Sequence, residues 1–359
     1  MNNKDNKVLI VAEAGVNHNG SAKKALELVD AAVYAGADAV KFQTYKTEQY
    51  VTKRAEKAQY QKNTTGINEG QFEMIKNLEL NYDVYFELQK KCLKNNIKFL
   101  STAFDHESLN FLVTKLNLET LKIPSGEITN GPYLLEHAKY KKKMIVSTGM
   151  TTLDEIETSL GVIAFGLLKK SNPNTKSFQD TYNSDEGKKI LNEYVTLLHC
   201  TSNYPADFSE INLDAMIELK NKFNLPVGYS DHSEGTLVSI AASAMGAKYI
   251  EKHFTLDKRL PGPDHLASLE PDELKLMVNS IRDIEIIKGS KIKKPQSSEI
   301  ENQKVVRRSI VAINKINKGE IFNENNIGLK RPASGKSPMQ YWELIGKISH
   351  KNYNTDDNI

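Results

Sequence analysis

Residues 226–254 read PVGYSDHSEGTLVSIAASAMGAKYIEKHF, and the order of residue types in this stretch decides the fold. A short β-type run, PVGYSD from Pro226, gives way to an amphipathic helical stretch, GTLVSIAASAMGA, and then to a second β-type run, KYIEKHF from Lys248. That change of pattern marks a strand, a crossover helix and a parallel strand. Working outward, the β-type runs recur as VLIVAEA from Val8, AVKFQT from Ala39, IKFLSTAF from Ile97, TLKIPS from Thr120, MIVSTG from Met144 and YVTLLHCT from Tyr194, eight in all. Helical stretches such as SAKKALELVDAAVYAG, FELQKKCLKNN and TLDEIETSLGVIAFGLLKK lie between most of them. Eight such units predict an α/β fold of the (β/α)₈ TIM-barrel type. A doubly wound sheet uses the same elements, but no Gly-rich dinucleotide fingerprint follows any of these runs.

The barrel is expected over residues 1–288, with the polar stretch SNPNTKSFQDTYNSDEGKK from Ser171 as a surface insertion before the sixth strand. The charged, apolar-poor segment 289–303 reads as a linker, and residues 304–359 as a small β-rich module. A core that small needs a larger body or a partner subunit to dock on.

Composition narrows the function classes. Apolar residues make up 39% of the 359-residue chain and charged ones 26%, enough for a sizeable core. The net charge is only +3 and the lysines are scattered, so a nucleic-acid footprint is missing. No apolar run approaches the roughly 18 to 20 residues of a membrane span, and the opening residues lack a signal-peptide pattern. Cys92 and Cys200 stand far apart in no metal-ligand spacing, as expected of a cytoplasmic protein.

Inward and outward side chains alternate along a barrel strand, so polar residues interrupting the apolar runs point into the barrel near its C-terminal face. Lys41 and Gln43 share one face of their strand, and Lys122 sits inward between Leu121 and Ile123. Such lysines either pair with a carboxylate, Glu13 or Glu127, or receive an anionic substrate's phosphate and carboxylate. Thr102, Ser125 and Ser230 end strands and offer hydroxyls to the same anion. His232 and His253 end the seventh and eighth strands, which are neighbours in a barrel, and a pair of imidazoles with open positions suits a divalent metal. Glu13 and Glu127 are the candidates for acid or base work. Asp264, on the Gly/Pro-rich loop LPGPDH, either binds substrate or rigidifies its loop.

The motifs AEAGVNHNG, KFQT, FLSTAFD, KIPSGEITN, STGM, HCTSNYP, GYSDHSEG, EKHFTLDKRLPGPDH and KRPASGKSP, running in order from about Val8 to about Ile348, together resemble those of the bacterial sialic acid synthases, including the legionaminic acid synthases. The resemblance implies a TIM barrel that binds phosphoenolpyruvate, joined to a C-terminal antifreeze-like (SAF) domain, in a domain-swapped homodimer using Mn²⁺ or a similar divalent ion. It implies that His232 and His253 are the metal ligands and that Lys41, Thr102, Lys122, Ser125 and Ser230 hold phosphoenolpyruvate. Gln43, Tyr204, Asp264 and Glu13 would lie around an N-acylated amino sugar and the metal, with Arg331 reaching the sugar's N-acyl group across the dimer. The sequence departs from the family's pattern at Ala333, where glycine is frequent, and in HCTSNYPAD around Tyr204.

Motifs such as IPSGEITN lean toward the legionaminic branch, with N-acetylneuraminate synthesis from N-acetylmannosamine as the alternative. Other synthases that make seven- or eight-carbon acids from phosphoenolpyruvate would also use strand-end lysines and a metal, but the C-terminal module argues against them. A carbohydrate- or ice-binding protein without enzyme activity would leave the lysines and paired histidines unexplained.

Overall fold

The computed structural model describes residues 7–65 and 69–359. Eight strands, β1 (Leu9–Gly15), β2 (Ala39–Thr44), β3 (Lys98–Ala103), β4 (Thr120–Ile123), β5 (Lys143–Ser147), β6 (Val195–His199), β7 (Val227–Asp231) and β8 (Tyr249–His253), form a closed barrel in sequence order. All pairs are parallel, and β1 closes on β8 with Leu9 opposite Tyr249 and Glu13 opposite His253. The (β/α)₈ expectation therefore holds, with the seventh and eighth strands adjacent as the sequence reading requires.

Local chemistry sets the helix ends. Ser21 accepts from Lys24 N to start the helix Ala22–Ala35, and Gly36, at φ 78°, stops it in the left-handed conformation. Thr152 and Glu155 form a capping box at the head of the helix Leu153–Leu167. The helix Pro271–Ile287 binds the barrel where it closes: Arg282 donates to Val8 O and Asp38 Oδ2, while Glu285 accepts from Val8 N.

The pleat sorts side chains by period two. Ile10, Ala12, Val40, Phe42, Leu121, Ile123, Leu197, Tyr229 and Ile250 are buried in the main core, where strands meet helices. Val11, Ala39, Leu100, Ile145, Leu198 and Tyr249 form a separate apolar plug inside the barrel. Two residues further along the same strands stand Glu13, Lys41, Thr102, Ser147 and Glu251, so the polar layer rests directly on that plug.

Two segments carry more structure than their sequence suggests. The polar insertion after Ser171 holds two helices, Thr175–Asn183 and Asp185–Tyr194, and Phe178 packs edge-on against Phe165 at 5.1 Å between centroids. Between β2 and β3 lie three short helices, Thr47–Tyr50, Gln59–Thr65 and Gln71–Leu78. The first and third contribute to a small apolar cluster of Val16, Tyr45, Met74, Ile75 and Leu78 above the barrel.

The chain divides between Gly289 and Ser290 into two compact units. In the second, a helix over Ser297–Val306 begins inside the 289–303 stretch read as a linker. Its start is fixed by a capping box between Gln296 and Glu299, while its mixed residue pattern leaves no face buried. Two strands, β9 (Ser309–Ala312) and β10 (Ile327–Lys330), pair antiparallel, and isolated bridges such as Ile316 to Tyr353 add to them. Ile310, Ala312, Ile316, Phe322, Ile327, Leu344, Tyr353 and Ile359 form its core. Among the described residues no helix is long and apolar enough to cross a membrane.

The plug has no spare room at Gly228, where an added Cβ would meet Tyr249 O at 2.4 Å and Leu198 Cδ2 at 2.8 Å. Gly228→Ala is expected to destabilise the barrel by about 1–3 kcal/mol, read as a lower midpoint in guanidinium unfolding.

Candidate active site

The polar layer opens into a cavity of about 360 Å³ lined by residues of the barrel unit. Glu13, Lys41, Gln43, Thr102, Lys122, Ser125, Glu127, Tyr204, Ser230, His232, His253 and Asp264 all line it. Twelve of the thirteen candidates thus converge on one chamber of a size suited to small ligands. Arg331 belongs to the second unit, exposed on the loop after β10.

At the floor, two buried ammonium groups surround one carboxylate. Glu251 Oε2 lies 3.7 Å from Lys41 Nζ, and its Oε1 lies 3.8 Å from Lys122 Nζ and accepts from Ser230 Oγ at 3.0 Å. Lys41 also meets Glu13 at 2.8 Å and donates to Thr102 at 2.9 Å, while Lys122 donates to Ser147 at 2.6 Å. Glu127, the other carboxylate considered as a lysine partner, accepts from Asn130 at 2.7 Å and makes no ion pair with either lysine. It sits on a short turn after β4, beyond the strand end, at the cavity wall.

Burial and neighbouring charges separate the two floor carboxyls. Burial pushes Glu13 up to about 8 against the pull of Lys41, so it keeps its proton at neutral pH. Burial would raise Glu251 as well, but Lys122 and Lys41 together hold it below its ordinary value. Lys122 is lowered by burial in spite of the nearby Glu251 carboxylate. Two cationic side chains therefore share one ionised carboxylate, leaving positive charge for an anion to neutralise.

Beside this floor stand two imidazoles. The His232 and His253 ring centroids are 5.7 Å apart, and Tyr204 lies over His232 at 4.1 Å. His232 Nδ1 is 2.6 Å from the Thr201 carbonyl, which can only accept; Nδ1 carries the hydrogen and Nε2 presents a lone pair. Burial lowers His232 to about 4 and His253 well below its usual value, so both rings are neutral at pH 7. His253 Nδ1 has no hydrogen-bond partner, and Asp264 Oδ2 lies 3.9 Å from it. Gly15, at φ 52°, leaves space for this ring, since an added Cβ would stand 3.3 Å from it. Burial lifts the Asp264 carboxyl to about 6.

Neutral imidazoles with unused lone pairs next to a carboxylate are a donor set that fits a divalent ion. No group of three or more His, Cys, Asp or Glu side chains with metal-site spacing occurs among the described residues. Two nitrogens from the protein would leave most coordination positions to water and substrate.

Comparison with known proteins places this chamber in a family. Residues 28–293 match the NeuB family and residues 307–357 the SAF domain. The chain belongs to the NeuB family. It is 49% identical to the N,N'-diacetyllegionaminic acid synthase of Campylobacter jejuni, over 98% of this chain and 99% of that one. With the N,N'-diacetyllegionaminic acid synthase of Legionella pneumophila it shares 46% identity, over 94% and 89%. Among solved structures, the N-acetylneuraminic acid synthetase of Leptospira borgpetersenii superposes with a TM-score of 0.66 at 34% identity, covering 83% of this chain and 90% of that one.

Within this NeuB-family site the sequence reading gives no role to several residues. Ser147 and Glu251 face inward by the same alternation that reveals Lys122, so their signal is present in the strands. Tyr50, Tyr60, Met74 and Ile75 reach the cavity from the excursion between β2 and β3, where no strand-end rule applies. Glu251→Leu leaves two buried ammonium groups without their shared counter-charge. It is expected to cost about 3–5 kcal/mol of stability at neutral pH, measured by chemical denaturation.

Proposed function

We propose that the chain condenses phosphoenolpyruvate with 2,4-diacetamido-2,4,6-trideoxymannose and water, releasing phosphate, and so acts as an N,N'-diacetyllegionaminate synthase. The observation that carries this reading is the pair of buried lysines sharing one ionised carboxylate beside two neutral imidazoles, all inside a single barrel chamber. Its similarity to two legionaminic acid synthases over nearly the full chain supports the choice of acceptor.

In this reading Lys41 and Lys122 hold the phosphate and carboxylate of phosphoenolpyruvate, with hydroxyls from Thr102, Ser125 and Ser230 completing the anion site. Because these groups are already set by the barrel, they need little reorganisation as charge moves during reaction. His232 and His253 would hold Mn²⁺ or a similar ion, which supplies Lewis-acid polarisation of the sugar aldehyde when bound. The methylene carbon of phosphoenolpyruvate forms the new bond to the aldehyde carbon, whose oxygen takes up a proton. Water then adds to the carbon that carried the phosphate and gives up a proton, and the bond from that carbon to the phosphate oxygen breaks, leaving a keto group and free phosphate. Glu127, at the cavity wall, is assigned the proton transfers. Glu13, protonated at neutral pH, donates toward sugar hydroxyls with Gln43, Tyr204 and Asp264 around the same substrate. A cytoplasmic setting suits two free, buried thiols, Cys92 and Cys200.

We further propose a domain-swapped homodimer in which Arg331 of a second copy reaches the N-acyl group. Mixing inactive Arg331→Ala and Lys41→Ala chains would then restore turnover in heterodimers, and verified heterodimers without activity would refute the swap.

Phosphate release is the direct test of the reaction. The 2,4-diacetamido acceptor is expected to give a kcat/KM at least roughly tenfold above that of N-acetylmannosamine. EDTA should abolish release and Mn²⁺ restore it. Turnover only with arabinose 5-phosphate or erythrose 4-phosphate would refute the proposal, and preference for N-acetylmannosamine would reassign the acceptor. Lys41→Ala and Lys122→Ala should each lower kcat/KM for phosphoenolpyruvate by roughly 100-fold or more.

A further inference from the structure

We infer that Lys252 and Asp231 position His232 and His253 from behind the barrel wall; the inference rests on reading those imidazoles as metal ligands. Lys252 immediately precedes His253 on β8, and Asp231 immediately precedes His232 at the end of β7. Both side chains point away from the cavity, both are completely buried, and Lys252 Nζ lies 3.1 Å from Asp231 Oδ2.

The hydrogen bonds of this pair go to the loop that carries His232. Lys252 Nζ donates to the Ser233 carbonyl at 2.5 Å. Asp231 Oδ1 accepts from Ser233 N at 2.9 Å and from Ser233 Oγ at 2.6 Å. Its Oδ2 accepts from Ser239 Oγ at 2.6 Å, which ties the loop to the helix Leu237–Met245. His232 is therefore held between two anchored neighbours, Asp231 and Ser233. Lys252 links that anchor to the strand that delivers His253.

A stabilising role alone is a poor account of this arrangement. Buried ion pairs add little net stability compared with apolar replacements, and the adjacent outward positions Tyr229 and Ile250 are apolar. Backbone pairing of Asp231 with Lys252 already joins the strands. What the charges add is direction: a fully bonded carboxylate and ammonium allow one placement of the 231–233 turn. Metal affinity depends steeply on ligand orientation set by such outer groups, commonly by 10–100-fold.

The test is a titration of Mn²⁺ into the full chain, with free ion read from its EPR signal and folding read from thermal unfolding. The double variant Asp231→Asn, Lys252→Met removes both charges and leaves no lone buried ion. It is expected to fold, to keep KM for phosphoenolpyruvate within about threefold, and to bind Mn²⁺ roughly tenfold or more weakly. Lys252→Arg, which keeps the cation, should recover most of the affinity. Should the double variant not fold, Ser239→Ala decides: about threefold weaker Mn²⁺ in a variant that stays folded, with a lowered melting temperature, is expected for loss of one bond to Asp231. A wild-type site that a folded variant binds equally well overturns the inference alone. A wild type without any Mn²⁺ site that His232→Ala removes overturns the metal reading and this inference with it.

Discussion

Two ammonium groups are buried inside a closed barrel, and most of what is distinctive in the structure follows from keeping them there. Desolvating a charge is expensive, and the cost is offset only by close counter-charge and hydrogen bonds. Glu251 supplies the charge for both lysines, Thr102 and Ser147 supply the acceptors, and Ser230 fixes the carboxylate from the adjacent strand. Glu13 lies on the far side of Lys41 and takes up a proton under the same burial. The floor is balanced well enough to fold while remaining short of negative charge, a condition that an incoming dianion relieves. In the proposed reading, recognition of an anion and stability of the barrel are set by the same residues.

That arrangement depends on strand register. Parallel pairing places Glu13 opposite both Lys41 and His253, Thr102 opposite Lys122, and Ser230 opposite Glu251. A slip of one residue in any strand would turn its polar group toward the helices and its apolar neighbour into the chamber. The plug around Tyr249 makes such slips costly, since Val11, Leu100, Ile145 and Leu198 would have to leave it. The apolar base therefore determines which residues can form the polar layer above it.

This coupling explains what was legible in the sequence. A lysine in an apolar strand has few structural uses, so Lys41 and Lys122 stand out, and period-two alternation assigns them to the interior. The same rule reaches Ser147 and Glu251, which are less conspicuous because a serine or glutamate near a strand end is ordinary. Pairing partners were harder to read: Glu127 is as close to Lys122 in sequence as a partner needs to be, yet the chain turns after Pro124 and carries its carboxylate to Asn130. Glu251 reaches Lys122 from four strands away around the barrel. Distances of that kind follow from closure, which no local pattern records. The helix at Ser297–Val306 shows the opposite case, in which capping residues define an element whose faces give no hydrophobic signal.

The division between floor and loops also bears on how one barrel serves different acceptors. In the proposed reading an anionic substrate is bound by charges fixed in strands, and those charges cannot vary without unbalancing the fold. A neutral amino sugar gains little from them, so its identity must be read by groups outside the strands. The cavity-lining groups outside the strands that the proposed reading assigns to this role include Tyr50, Tyr60, Met74 and Ile75 from the excursion between β2 and β3, Tyr204 from the loop after β6, and Asp264 from the loop after β8. Tyr60 and Tyr204 lie 5.1 Å apart and Tyr204 covers His232, so aromatic surface runs from the acceptor side of the chamber to the imidazoles. Apolar and aromatic walls favour methyl and acetyl groups over free hydroxyls, because a hydroxyl placed there loses its hydrogen bonds to water without replacement. A 6-deoxy, twice-acetylated sugar offers those walls more apolar surface than N-acetylmannosamine does. On that reading the acceptor choice depends on loops that can change while the floor is held constant.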